Sequence, residues 1–139
     1  MWSDPAVVRY ISGKPSTPQQ SWMRLLNYAG HWALLQFGYW AIEERTTNTF
    51  IGEIGFADFK RDIDPSLRGI PEIGWALASE VHGRGFGTEA SRTAVSWSDM
   101  QPWAETVCIV DPRNEASIRI ARTCGYDEVR RFDYNGARA

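Results

Sequence analysis

Apolar residues recur at two different spacings along the chain, and the changes of spacing divide it into elements. From Thr17 onward Trp22, Leu25, Leu26, Ala29, Ala33 and Phe37 return every three or four residues, the stripe of one long amphipathic helix ending at Gly38. Before it, "SDPAVVRYI" offers Ser3 or Asp4 as a cap and Pro5 at a first helical position, predicting a short helix to about Ile11. "SGKPS" then reads as a turn. After Gly38 the period drops to two. "YWAIEE" and "TFIGEIGFADF", joined through the polar "TTN", predict an antiparallel hairpin. "KRDIDPSLRG" reads as a loop and "IPEIGWALAS" as a third strand. Ile73, Trp75 and Leu77 fall on one of its faces, Glu72, Gly74 and Ala76 on the other.

The rest alternates. A helix runs through "TEASRTAVSWSDM" and a strand through "AETVCIV". "DPRNEASIRIARTCGY" is a helix with Asn114 as cap and Gly125 as stop, and "DEVRRFDYN" a last strand. The order α-α-β-β-β-α-β-α-β joins an antiparallel front to a strand–helix–strand crossover. The expected fold class is therefore α/β (α+β), a mixed central sheet with flanking helices. One domain over residues 1–139 is expected, since no repeat, low-complexity segment or linker interrupts the pattern.

Composition narrows the function classes. With 139 residues, 43% hydrophobic and 13% aromatic, the chain suits one packed core. A formal charge of −2 gives no footprint of non-specific nucleic-acid binding, and Arg113, Arg119 and Arg122 offer at most a local basic patch. No apolar run reaches the ~18 residues of a membrane span. "MWSDPAVVRY" lacks the basic start and apolar stretch of a secretion signal. A cytoplasmic protein is expected, with neither nucleic acid nor membrane as partner. Cys108 and Cys124 lack metal-ligand spacing and read as reduced core thiols, while His31 and His82 stand alone, so no metal site is expected.

The chemistry gathers at "EVHGRGFGTEA", where Gly83, Gly85 and Gly87 stand at alternate positions between a strand and a helix. Glycine inside an element costs up to ~1 kcal/mol, so three need a reason. The nucleoside-triphosphate loop is excluded because no Lys-Ser/Thr pair follows the glycines. The dinucleotide fingerprint is excluded because its last position is Thr88. What remains is x-G-x-G-x-G running into a helix. Physically it is either a flexible turn or a seat of main-chain N–H groups and helix dipole for a pyrophosphate.

"PEIGWALASEVHGRGFGTEA" followed by "NEASIRIARTCGY" resembles the GNAT acetyltransferases. The nearest branch by resemblance is the RimJ/RimL-like ribosomal-protein-alanine N-acetyltransferases. The family's [QR]-x-x-G-x-[GA] loop falls on His82, Gly83, Arg84, Gly85, Phe86 and Gly87, with His82 departing from the usual Gln or Arg. The second motif, N-x-x-S ending in G-[FY], falls on Asn114, Ser117, Gly125 and Tyr126. The resemblance implies acetyl-coenzyme A as cofactor, with the segment from His82 to Thr88 binding its pyrophosphate. It implies transfer of an acetyl group to a primary amine, either a protein N-terminus or a small molecule, by direct attack.

The same resemblance implies roles along "EIGWALAS". The Leu77 N–H would donate to the acetyl carbonyl, Ala76 and Ser79 would line the groove, and Asn114 would contact the pantetheine arm. Gly74 and Ala76 would leave room for ligand. Glu72 and Glu53 are the candidate general bases, each on a strand between small residues. Many relatives place a Tyr four residues before G-[FY]; here that position is Ala121, and Ser117 is the substitute candidate for protonating the thiolate. The resemblance also implies a strand before "SDP" and a further strand at the far end. The first and last family strands are therefore expected to be missing, in a truncated form that pairs as a homodimer or loses activity. The alternative is a non-catalytic coenzyme A-binding or protein-interaction module.

Overall fold

The computed structural model describes residues 1–134 and the backbone of Ala137 and Arg138. Helix α1 spans Pro5–Val8, capped by Asp4, whose Oδ1 accepts from the Ala6 N–H. It is one turn long, so the stretch to Ile11 is turn rather than helix. Helix α2 spans Pro18–Leu35 and begins with a reciprocal capping box between Thr17 and Gln20. It stops before Gly38, at Gln36, which takes the left-handed conformation with φ 63°. Gly38 serves packing instead: a Cβ there would lie 2.7 Å from the Trp32 ring.

Strands β1 (Tyr39–Glu44), β2 (Thr49–Ala57), β3 (Glu72–Leu77) and β4 (Val107–Cys108) form one sheet in the order β1-β2-β3-β4. The first two pairings are antiparallel and the third is parallel, so the sheet is mixed as the sequence predicts. Strand β4 is much shorter than "AETVCIV", pairing with β3 only through Glu72–Val107 and Ile73–Cys108. A short 3-10 turn at Ser79–Val81 leads to helix α3 (Phe86–Ser98), and α4 spans Glu115–Thr123 behind the Asn114 cap. "DEVRRF" is not a strand. Asp133–Tyr134 (β5) pairs with Ala137–Arg138 (β6) as a separate two-stranded sheet, and Asn135 lies outside the described residues.

Alternation in the strands gives the sheet two unlike faces. One carries Ile54, Phe56 and Ile73, packed with Ala94 of α3 as the core. Trp40, Trp97, Trp103 and Phe37 surround it, with Trp40 and Trp97 rings 4.8 Å apart edge to face. Large rings packed this way each bury enough apolar surface to contribute a few kcal/mol, which anchors the sheet. The other face carries Tyr39, Glu53, Gly55, Glu72, Gly74 and Ala76 in paired rows. Polar groups on this second face need partners, and the N-terminal segment and α2 supply them.

Candidate active site

The open edge of β3 follows from two hydrogen bonds. The Val107 N–H donates to the Pro71 carbonyl on the β4 side, and the Ala78 N–H donates to the Ile51 carbonyl on the β2 side. Main-chain groups alternate sides along a strand, so Trp75 and Leu77 both point toward β4. Strand β4 has left the ladder by then, its last pair being Ile73–Cys108. Two N–H groups therefore face a gap between splayed strands: Leu77, which the family resemblance implied, and Trp75, which sequence reasoning missed. The strict alternation of "EIGWALAS" could have found both.

This edge runs directly into the glycine segment. Gly83 and Gly85 hold positive φ, 76° and 84°, which explains glycine there, and a Cβ on either would meet nothing within 4 Å. Gly85 is the N-cap of α3 and makes no side-chain cap bond. Because Glu89 N–H is the donor that returns to the Gly85 carbonyl, the N–H groups of Phe86, Gly87 and Thr88 have no intrahelical acceptor. These donors, the helix dipole and the open space fit a pyrophosphate. Gly87 has a different reason to be glycine. Its Cβ would lie 2.9 Å from Ile120 of α4 and 3.4 Å from Leu77, so it permits close packing.

Side chains around the loop are more committed than their motif positions suggest. His82 folds back with Nε2 2.8 Å from the Leu77 carbonyl, at the same open edge. Arg84 pairs with Glu44 at 2.9 Å and lies over the Phe86 ring. The Ser79 hydroxyl donates to Asp4 Oδ2 at 2.5 Å, so it ties the N-terminal segment down rather than standing free in a groove. That bond and the Ala6 N–H hold the Asp4 carboxyl below its ordinary pKa. On α4, Asn114 Oδ1 caps the helix by accepting from the Ser117 N–H at 3.1 Å. Ser117 Oγ accepts from the Trp75 indole at 3.2 Å, which ties α4 to a side chain of β3.

The two candidate bases share a sheet face and differ in what holds them. Glu72 is 9% exposed and forms a fork with Arg61: Nε donates to Oε2 at 2.8 Å and an Nη donates to Oε1 at 3.0 Å. Both oxygens are spent on a counter-charge, so neither is left open. Glu53 is 8% exposed and lies across from Ala76. Its Oε1 accepts from the Trp2 indole at 3.0 Å and from the Tyr28 hydroxyl, and its Oε2 has no hydrogen-bond partner among the described residues. Burial lifts the Glu53 pKa above the ordinary carboxylate value, against the opposing bonds from Tyr28 and Trp2 and the charge of Arg24. Burial and the Glu53 bond likewise raise Tyr28.

Gly74 does not leave a space for ligand on this face. A Cβ there would collide with the Tyr39 hydroxyl, which already fills the position. The Tyr39 ring stacks on Tyr28 with centroids 4.7 Å apart. His31 is structural, with Nδ1 donating to the Asn27 carbonyl and Nε2 accepting from the Asp58 N–H. Both cysteines are free, and burial pushes the Cys108 thiol up to about 12. Among the described residues no three His, Cys, Asp or Glu side chains gather as a metal site, and no helix is long and apolar enough to cross a membrane.

The sequence model of the acetyltransferase (GNAT) domain matches residues 1–127. The uncharacterized protein YkkB of Bacillus subtilis (strain 168) is 28% identical over 129 residues, covering 90% of this chain and 70% of YkkB. A solved structure described as a GnaT-family acetyltransferase from Bordetella pertussis superposes with a TM-score of 0.81. It is 27% identical and the match covers 88% of this chain and 74% of that one. The acetyltransferase yncA from Salmonella typhimurium, solved with its cofactor acetyl-CoA, has a TM-score of 0.68 at 20% identity. That match covers 86% of this chain and 65% of yncA, and it shows a shared fold.

Proposed function

The chain belongs to the GNAT acetyltransferase family, and from that premise we propose that it transfers an acetyl group from acetyl-coenzyme A to a primary amine. The observation that carries this reading is the continuous main-chain surface from the Trp75 and Leu77 N–H groups to the α3 start, with Glu53 behind Ala76. When bound, the coenzyme supplies an acyl group activated as a thioester.

The chain's own groups then have separable tasks. The N–H groups of Phe86, Gly87 and Thr88, with the loop at Gly83 and Gly85, would seat the pyrophosphate, and Asn114, whose Oδ1 caps α4, would have its amide nitrogen to offer the pantetheine arm. The Leu77 N–H would receive the carbonyl oxygen as negative charge develops on it, worth ~3 kcal/mol at comparable sites, while the Trp75 N–H, two residues along the same edge and too far to share that oxygen, would hold the pantetheine arm. Glu53 Oε2 takes the proton from the amine, directly or through one water, as the nitrogen–carbon bond forms and the carbon–sulfur bond breaks. Ser117 gives its hydroxyl proton to the departing sulfur and recovers one from solvent.

The acceptor site lies on the sheet face covered by Trp2, Arg24 and Tyr28, and its amine belongs to a protein N-terminus or a small molecule. The RimJ/RimL-like branch commonly lacks the tyrosine acid whose position is Ala121 here, which supports that branch, and the chain acts as a single catalytic domain. Acetyl-coenzyme A incubated with the protein and a panel of primary amines, including N-terminal alanine peptides, should release free thiol with at least one of them. Coenzyme binding with no thiol release on any amine refutes enzymatic transfer and leaves a binding module.

A further inference from the structure

Glu53 is held by neutral donors that converge on one of its oxygens. The Trp2 indole and the Tyr28 hydroxyl both donate to Oε1, from positions 51 and 25 residues away in sequence. Each donor is itself fixed. The Tyr28 ring is stacked on Tyr39 with an interplanar angle of 9°, and the Tyr39 hydroxyl is seated over Gly74. The Trp2 indole lies under the Arg24 guanidinium at 3.6 Å, and its carbonyl accepts from the Ser16 N–H at 2.8 Å. Arg24 brings positive charge close, but among the described residues it makes no ion pair with Glu53, and its enclosed Nε has no partner.

We propose that Trp2 and Tyr28 are positioning residues that clamp Glu53 Oε1 and so leave Oε2 as the single acceptor for the amine proton. The role rests on Glu53 being the base, as argued above. The chemical logic lies in the choice of donors. A guanidinium fork, as on Glu72, occupies both oxygens and leaves neither facing an incoming amine. Two neutral donors on one oxygen fix the carboxylate's orientation while leaving the second oxygen basic. The groups bearing on its titration are Tyr28 and Arg24 on α2, Trp2 and the amino terminus from the N-terminal segment. Burial pushes the pKa upward and all of these push it down.

Tyr28→Phe keeps the stack on Tyr39 and deletes one donor; Trp2→Phe deletes the other. Carbon-13 NMR on glutamate-labelled protein follows the Glu53 carboxyl across pH, its signal identified by loss in Glu53→Gln. Either variant should raise the titration midpoint by about one pH unit, since a hydrogen bond to a charged group favours the ionised form by that order. The acid limb of kcat/KM, measured with acetyl-coenzyme A and an amine that turns over, should move by the same amount. Coenzyme affinity by calorimetry should stay unchanged. An unmoved midpoint in both variants overturns the positioning role even where Glu53→Gln abolishes turnover. Full turnover by Glu53→Gln overturns the base, and the positioning role with it. If Tyr28→Phe fails to fold, Trp2→Phe, which lies outside any helix, carries the same measurement.

Discussion

Glu53 and Glu72 stand on adjacent strands of one sheet face and are buried almost equally, at 8% and 9% exposure. Their surroundings part them. Glu72 meets Arg61 through both oxygens, and the pair behaves as one neutral, oriented unit. Glu53 meets a phenol and an indole on one oxygen and keeps the other open. Burial alone therefore does not make a carboxylate a base. What decides is whether its lone pairs are already committed, and to a charge or to a neutral donor.

The largest test of that contrast is exchange of each carboxylate for its amide. Glu53→Gln should lower kcat by about 10²–10⁴-fold, the range for losing a general base, with coenzyme affinity intact; a loss under threefold would put the base elsewhere. Glu72→Gln should do the opposite. We expect turnover within threefold of the parent but about 1.5–3 kcal/mol less stability in urea unfolding, since Arg61 loses its counter-charge. Stability equal to the parent's would mean the fork contributes nothing.

Gly85→Asp separates the coenzyme seat from both carboxylates. A side chain at φ 84° and a like charge at the α3 start should weaken coenzyme A binding at least tenfold in calorimetry, without moving the Glu53 titration. Unchanged affinity would remove the pyrophosphate from this loop.

The smallest effect is on stability against pH. Glu53 is harder to ionise folded than unfolded, so its contribution is fully present below the ordinary carboxylate pKa and is lost as pH rises through the raised value. Glu53→Gln should therefore gain on the parent in melts as pH rises from below to above the ordinary carboxylate pKa, and the gain should level off once the folded carboxyl is ionised. A constant difference across that range would mean that folding leaves the carboxyl unperturbed.

The main-chain part of the site was legible in the sequence because it depends on local rules. Glycine permits the positive φ taken at Gly83 and Gly85, a helix start leaves bare N–H groups, and strand alternation fixes which amides face outward. Side-chain commitments were not legible, because each partner arrives from elsewhere. Arg61 comes from the loop after β2, Tyr28 from α2, and Trp2 from the segment before α1. Elements failed to match at their ends. Helix α2 stops at Gln36, which takes the left-handed conformation, before the Gly38 to which the pattern pointed, and β4 leaves the ladder after two residues despite an apolar run of strand formers.

The Tyr39 hydroxyl seated over Gly74 carries a consequence for how this sequence can change. Any side chain at position 74 collides with that hydroxyl, so an exchange there is admissible only after position 39 has become smaller. The two sites form an ordered pair in which the tyrosine must move first. Loss of the hydroxyl alone, as in phenylalanine, would keep the stack on Tyr28, whereas loss of the ring would unstack it, so drift at one glycine reaches the phenol that holds Glu53 only through a change of ring.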